Sequence, residues 1–160
     1  MDKILEVKKY PDTILRCNSL PVEKITGEEL QLFKDMLNTM RYFSGIGLAA
    51  PQVGINRRLI VAQLRERSFL LANPEVINVK GKDKMEERCL SVPDVHVNIE
   101  RSYEVIVKGL NEEGKIVEVK AKGLLARVLL HEIDHLNAKL IIDYMNFLQR
   151  FKFNLNKRRH

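Results

Sequence analysis

The sequence predicts an α+β fold: mostly antiparallel β-sheets packed around a central helix, with one helix nearer the N-terminus and one at the C-terminus. Strand-like apolar runs fill the middle of the chain. Helical periodicity is confined to three stretches on either side of that middle. Strands and helices do not alternate strictly, which argues against a doubly wound parallel sheet.

Taken in order, Thr26-Gly27-Glu28-Glu29 forms a capping box that opens the first helix. Leu30, Phe33, Met36, Leu37, Met40 and Phe43 then recur at helical spacing, and Ser44-Gly45 ends the run. Residues 58–64 and 69–72 read as strands. Asn73-Pro74 is expected to break the second, with extended structure resuming over 75–79. Residues 103–110 and 115–120 flank Asn111-Glu112-Glu113-Gly114, a strand–turn–strand pattern that predicts a hairpin. A strongly apolar helix follows over about residues 123–137. A last amphipathic helix carries Leu148, Phe151 and Leu155 on one side.

The 160 residues fit one domain, 1–160, with a basic C-terminal helix or tail over about 145–160. No apolar run approaches the roughly 20 residues that span a bilayer. The start, Met1-Asp2-Lys3-Ile4-Leu5-Glu6, has mixed charge and no signal-peptide core. A cytoplasmic protein is expected, with no membrane and no DNA partner. Two cysteines are too few for a secreted disulfide scaffold. Cys17 reads as structural. Of the net charge of +6, much sits on Arg150, Lys152, Lys157, Arg158 and Arg159. Such a tail favours a polyanion such as RNA, or is simply a solvated helix face.

His131-Glu132-Ile133-Asp134-His135 is an H-E-x-x-H motif in the central helix. Histidines at i and i+4 share a helix face and can reach one metal ion, and the intervening Glu is placed to handle the proton of a metal-bound water. A catalytic site of this kind needs a third protein ligand and an open position. Downstream, the carboxylates end at Asp143 and one further histidine remains, His160. Upstream, Cys89 sits in Glu86-Glu87-Arg88-Cys89-Leu90-Ser91, where polar sequence turns apolar. Its thiolate completes a Cys-His-His set.

Gly45-Ile46-Gly47-Leu48-Ala49-Ala50-Pro51-Gln52-Val53-Gly54 is built from small residues that let a ligand or a strand come close to backbone. The alternative is a tightly packed helix-to-strand turn. It lacks the Gly-Lys-Ser/Thr ending of a phosphate loop. Gln52, polar among apolar neighbours, needs a hydrogen-bond partner if buried.

Gly45–Gln52, Glu87–Ser91 and His131–His135 resemble, in order and spacing, the three motifs of the peptide deformylase family. Weaker similarity extends from Pro11-Asp12 to Asp143. The resemblance implies removal of the formyl group from N-formylmethionine of nascent polypeptides. It implies one divalent metal ion per chain, usually Fe(II), with Zn, Ni or Co able to occupy the site. Cys89, His131 and His135 would be the ligands and Glu132 the general acid/base. The Gln52 side chain and the Leu90 backbone N–H would hold the formyl oxygen. By the same similarity, Ile46, Met85, Leu124 and Val128 would wall the methionine pocket, with the backbone of Gly47 pairing to the peptide. Apart from the resemblance, the charge of the basic tail admits a ribosome contact.

The sequence departs from the family pattern at three positions. Arg88 stands where Gly is usual, either straining the backbone if that position needs positive φ or leaning over the cleft mouth if it does not. Leu130 replaces a common Gln, and Ala138 a common Gly. Asp134 reads as a partner that orients a ligand or as a solvated surface acid, and Arg101 as a partner for Glu87. Two rival functions remain: an H-E-x-x-H metallopeptidase, favoured by any third ligand other than Cys89, and an inactive relative that binds formylated peptide or the ribosome.

Overall fold

In a computed structural model, residues 3–159 are described. Met1-Asp2, read above for a leader, and His160, weighed as a ligand, lie outside them. The described residues form three α-helices, α1 (Gly27–Tyr42), α2 (Leu124–Leu136) and α3 (Phe147–Arg158). They form seven strands, β1 (Gly47–Ala49), β2 (Leu59–Leu64), β3 (Arg67–Lys80), β4 (Asp83–Cys89), β5 (Val92–Arg101), β6 (Glu104–Leu110) and β7 (Ile116–Lys122). Five of them make one sheet in the order β1-β2-β3-β6-β7, and β4 and β5 make a separate two-stranded sheet. Every paired neighbour is antiparallel. The α+β class with a central motif helix is what the structure has.

Strand β2 is buried on both faces because helices cover both. Ile60 and Ala62 face α2, packing with Ala126, Leu129, Ile133 and Leu136. Leu59 and Val61 face α1, packing with Phe33, Met36 and Met40. Burying one such side chain contributes about 1.5–3 kcal/mol, so the two layers fix α2 against the sheet. The capping box of α1 forms as expected: the Glu29 carboxylate accepts from the Thr26 N–H at 2.9 Å, and the Thr26 hydroxyl accepts from the Glu28 N–H at 3.3 Å. A third cluster joins the β4–β5 hairpin to Leu140, Ile141 and Ile142 beyond α2.

Two features depart from expectation. Asn73-Pro74 does not end a strand: β3 runs through it, with a register shift between Ala72 and Glu75 opposite β6. Asn73 takes φ 51° and its side chain bridges both backbone groups of Val22, at 2.8 and 2.7 Å. The bulge absorbs the N–H that proline lacks. In α3, Phe147, Leu148, Phe151 and Leu155 are all exposed, and no residue of the helix is buried. The helix is anchored from its other side, by Phe153 against Tyr10 and by Arg150 to Asp143 at 3.2 Å.

Candidate metal and active site

Three elements deliver the site. Helix α2 presents His131 and His135 one turn apart, with ring centroids 5.1 Å from each other. Strand β4 ends on Cys89, whose Sγ lies 3.3 Å from His135 Nε2. A 3-10 turn at Ala50–Val53, directly after β1, carries Gln52. One donor atom from each of Cys89, His131 and His135 lies within 4.8 Å of the other two. Among the described residues this is the one group of three or more His, Cys, Asp or Glu side chains drawn together in this way. A thiolate with two imidazoles suits Zn or Fe(II) and excludes the all-oxygen preference of Ca or Mg.

Behind His131 stands a buried carboxylate, Glu87, and its Oε1 is 2.8 Å from His131 Nδ1. Arg101 forks onto Glu87 at 2.6 and 2.9 Å, and Arg127 adds a third guanidinium contact at 2.6 Å. Burial opposes ionisation of Glu87, but hydrogen bonds from His131 and Arg101 overcome it and hold its pKa down at about 2. An ionised Glu87 accepts a hydrogen bond from the His131 Nδ1–H, which turns Nε2 toward the other two donors. His131 is largely but not fully buried, and although that burial opposes its charged form, its bonds to Cys89 and Glu87 raise its pKa well above the ordinary value. His135 moves the other way: burial, then the positive charges of His131 and Arg101, push it well below, which keeps it neutral. Asp134 is tied rather than solvated, accepting from Arg101 at 2.9 Å and from the Tyr144 hydroxyl at 2.6 Å.

Glu132 is buried in the floor of the cleft. Burial first, and then the nearby acids against the attraction of His131 and Arg101, leaves its pKa raised to about 7. Its Oε2 has no hydrogen-bond partner among the described residues. It fits because residue 47 is glycine: a Cβ there would stand 2.6 Å from Glu132 Oε1 and 2.7 Å from Val128 Cγ1. Gln52 finds the partners its burial requires. Its Oε1 accepts from the Ala49 N–H at 2.9 Å, which aims Nε2 toward Ser91 Oγ at 3.2 Å and Cys89 Sγ at 3.5 Å.

These groups open into one cleft of about 860 Å³. Ile46, Gly47, Gln52, Met85, Cys89, Leu90, Leu124, Val128, His131 and Glu132 all line it, and His135 lies behind, 1% exposed. Arg88 also lines it, and its backbone is not among the left-handed non-glycine positions, which are Ser44, Arg65, Asn73, Asp94 and Ala138. Arg88 therefore adds reach at the mouth rather than strain. Leu130 packs partly buried against the sheet core.

The sequence reading missed Arg127 and Tyr144. Arg127 carried a signal: it sits one turn before His131 on an otherwise apolar helix face, where a buried cation needs an acid. Tyr144 carried none, because the turn that brings it to Asp134 is tertiary.

Fold and site together define a metal-dependent amide hydrolase of the α+β class. The family model described as Polypeptide deformylase matches residues 4–151. A peptide deformylase from Halothermothrix orenii is 49% identical over 142 residues, covering 88% of this chain and 92% of its own. The crystal structure of the Ehrlichia chaffeensis enzyme in complex with actinonin superposes with a TM-score of 0.91 at 34% identity, over 99% of this chain and 98% of that one. The Acinetobacter baumannii enzyme with Met-Ala-Ser bound gives a TM-score of 0.87 at 34% identity, over 91% and 100%. The chain belongs to the peptide deformylase family. Its reaction is the hydrolytic removal of the N-formyl group from nascent polypeptides.

Proposed function

We propose that Cys89, His131 and His135 hold one divalent metal ion, Fe(II) in the cell, with Zn, Ni or Co able to replace it. Glu132, Gln52 and the Leu90 N–H carry the reaction beside it. The observation that carries this reading is the convergence of three donor atoms within 4.8 Å next to a buried carboxyl whose pKa is raised to about 7. When bound, such a metal acidifies a water and polarises the formyl oxygen.

The chain's own groups do the rest. Glu132, poised near neutrality, takes the proton of the attacking water and passes it to the departing amine, leaving formate and a free α-amino group. Gln52 is held by Ala49 with its amide nitrogen beside Cys89, where it donates to the developing oxyanion once substrate is bound, and the Leu90 N–H is the second donor. Ile46, Met85, Leu124 and Val128 supply the apolar wall that the methionine side chain needs. Strand β1 lies at the edge of its sheet, so the peptide backbone can add alongside Gly47.

The substrates are N-formylmethionyl nascent peptides. The exposed basic helix α3 is the proposed ribosome contact, and the cytoplasm the place of action. Among the described residues, no helix is long and apolar enough to cross a membrane. The test is formate release from a formyl-Met peptide by protein purified anaerobically with Fe(II) or Ni(II). Wild type and Glu132→Ala should differ by orders of magnitude. Metal-loaded wild type that releases none sinks the reading.

A further inference from the structure

The cleft is lined by two unlike groups of residues. Ile46, Met85, Leu124 and Val128 are apolar, whereas Glu6, Lys9, Glu86, Arg88 and Asp94 put charge on the rim. If the apolar group takes the methionine, as proposed above, the residues after it meet the charged rim. The acids there are partly spoken for: Glu6 pairs with Lys8 at 3.4 Å, and Glu86 takes His96 Nδ1 at 2.9 Å. Asp94 forms no ion pair among the described residues, and neither does Lys9.

Arg88 stands out among these. It lies at the register shift between Glu87 and Cys89, so it has no regular partner across the β4–β5 ladder. Such a bulge re-aims a side chain. Its side chain is 73% exposed, and its one carboxylate neighbour, Glu86, is 3.6 Å away and already held by His96. Arg88 is thus a guanidinium fork beside the metal-ligating Cys89 with most of its donors unused.

We infer that Arg88 is a specificity-determining residue that favours formyl-Met peptides carrying an aspartate or glutamate one or two residues after the methionine. The guanidinium meets the acidic side chain at the mouth of the cleft while the formyl group reaches the ligand cluster. The inference rests on the proposed orientation of the peptide.

The test compares kcat/KM for formate release by Ni(II)-loaded enzyme on C-terminally amidated peptides: formyl-Met-Asp-Ala against formyl-Met-Asn-Ala, and formyl-Met-Ala-Asp against formyl-Met-Ala-Asn. Amidation removes the terminal carboxylate as a competing anion. Wild type should prefer the acid in at least one pair by about three- to fivefold at low salt, the scale of an exposed ion pair, and lose the preference in about 0.5 M KCl. Arg88→Gln should bring the ratio near one, and Arg88→Glu should invert it. Each ratio is read within one variant, so a general loss of activity cancels. A wild-type ratio near one, or a preference that survives Arg88→Gln, overturns the inference while formate release from the Asn peptides leaves the deformylase reading standing. No formate from any peptide overturns both.

Discussion

Glu87 Oε1 sits 2.8 Å from His131 Nδ1, and the same carboxylate is gripped by Arg101 and Arg127. One buried acid thus orients a metal-ligating ring and neutralises two buried cations. Replacing Glu87 with Gln keeps the shape but removes the charge. Such second contacts commonly change metal affinity about 10- to 100-fold. Glu87→Gln is expected to release bound Ni(II) to a chelator at least about ten times faster than wild type. An unchanged release rate would show that the Glu87 charge does not set the orientation of His131.

Ala138 ends α2 with φ 61°. The Lys139 N–H donates to Asp134 C=O at 2.9 Å and the Ala138 N–H to His135 C=O at 3.2 Å, the two bonds of a Schellman cap. Its left-handed position favours glycine, and a Cβ there costs about 1–2 kcal/mol. Ala138→Gly should therefore stabilise the protein, by about 0.5–1 kcal/mol once the entropy of the freer unfolded chain is subtracted. Urea unfolding with an unchanged m-value measures it, and a lower midpoint contradicts it.

Glu132 makes the metal-free protein sensitive to pH. Its folded pKa is about 7 against an ordinary 4.5. Between those values the folded state keeps a proton that the unfolded chain has released, so stability falls as pH rises through that window. The loss is at most about 3.5 kcal/mol and is complete above the folded pKa. Glu132→Gln has no such proton to lose. After chelation, its melting temperature should exceed that of wild type at about pH 8 and approach it at about pH 4.5. Equal differences at both pH values would mean that the buried charge is not the cause.

The oxyanion role proposed for Gln52 can be tested directly. Gln52→Ala removes one donor, which typically costs about 3 kcal/mol, or roughly 100-fold in kcat. The loss should fall on kcat rather than KM, because the donor acts on charge that develops during reaction. A rise in KM with kcat unchanged would instead make Gln52 a ground-state binding group.

What could be read from sequence was what local periodicity or spacing encodes. The capping box at Thr26, the hairpin around Asn111 and the helical H-E-x-x-H each sit within one element and appear where expected. The β4–β5 hairpin was opaque although Val95, Val97 and Ile99 alternate in β5, because β4 buries only Glu87 and Cys89 and so offers no apolar alternation to pair with it. Asn73-Pro74 misled because a bulge and a strand end use the same residues, and only the side-chain bridge to Val22 separates them. The closure of Tyr144 and Asp134 on Arg101 is likewise tertiary, since the contacting residues lie 43 and 33 positions apart from Arg101.

Gly47 is the sharpest test of how the cleft was assembled. The glycine of β1 faces α2 where Glu132 rises toward the sheet, and an added Cβ would stand 2.6 Å from Glu132 Oε1, closer than real Cβ contacts come. Neither neighbour yields easily: Val128 is a branched core residue 2.7 Å from the same point, and β1 is held in register by Ala62 of β2. Glu132 must therefore swing away from the position proposed above for receiving a proton. Gly47→Ala should lower kcat by about 100-fold or more, the scale of a lost general base. Cys89, His131 and His135 are not displaced by that methyl group, so the metal content after loading should stay at the wild-type level. A Gly47→Ala enzyme with wild-type kcat would mean that Glu132 works from another position. One that loses metal and activity together would mean that the methyl group disturbs α2 as a whole.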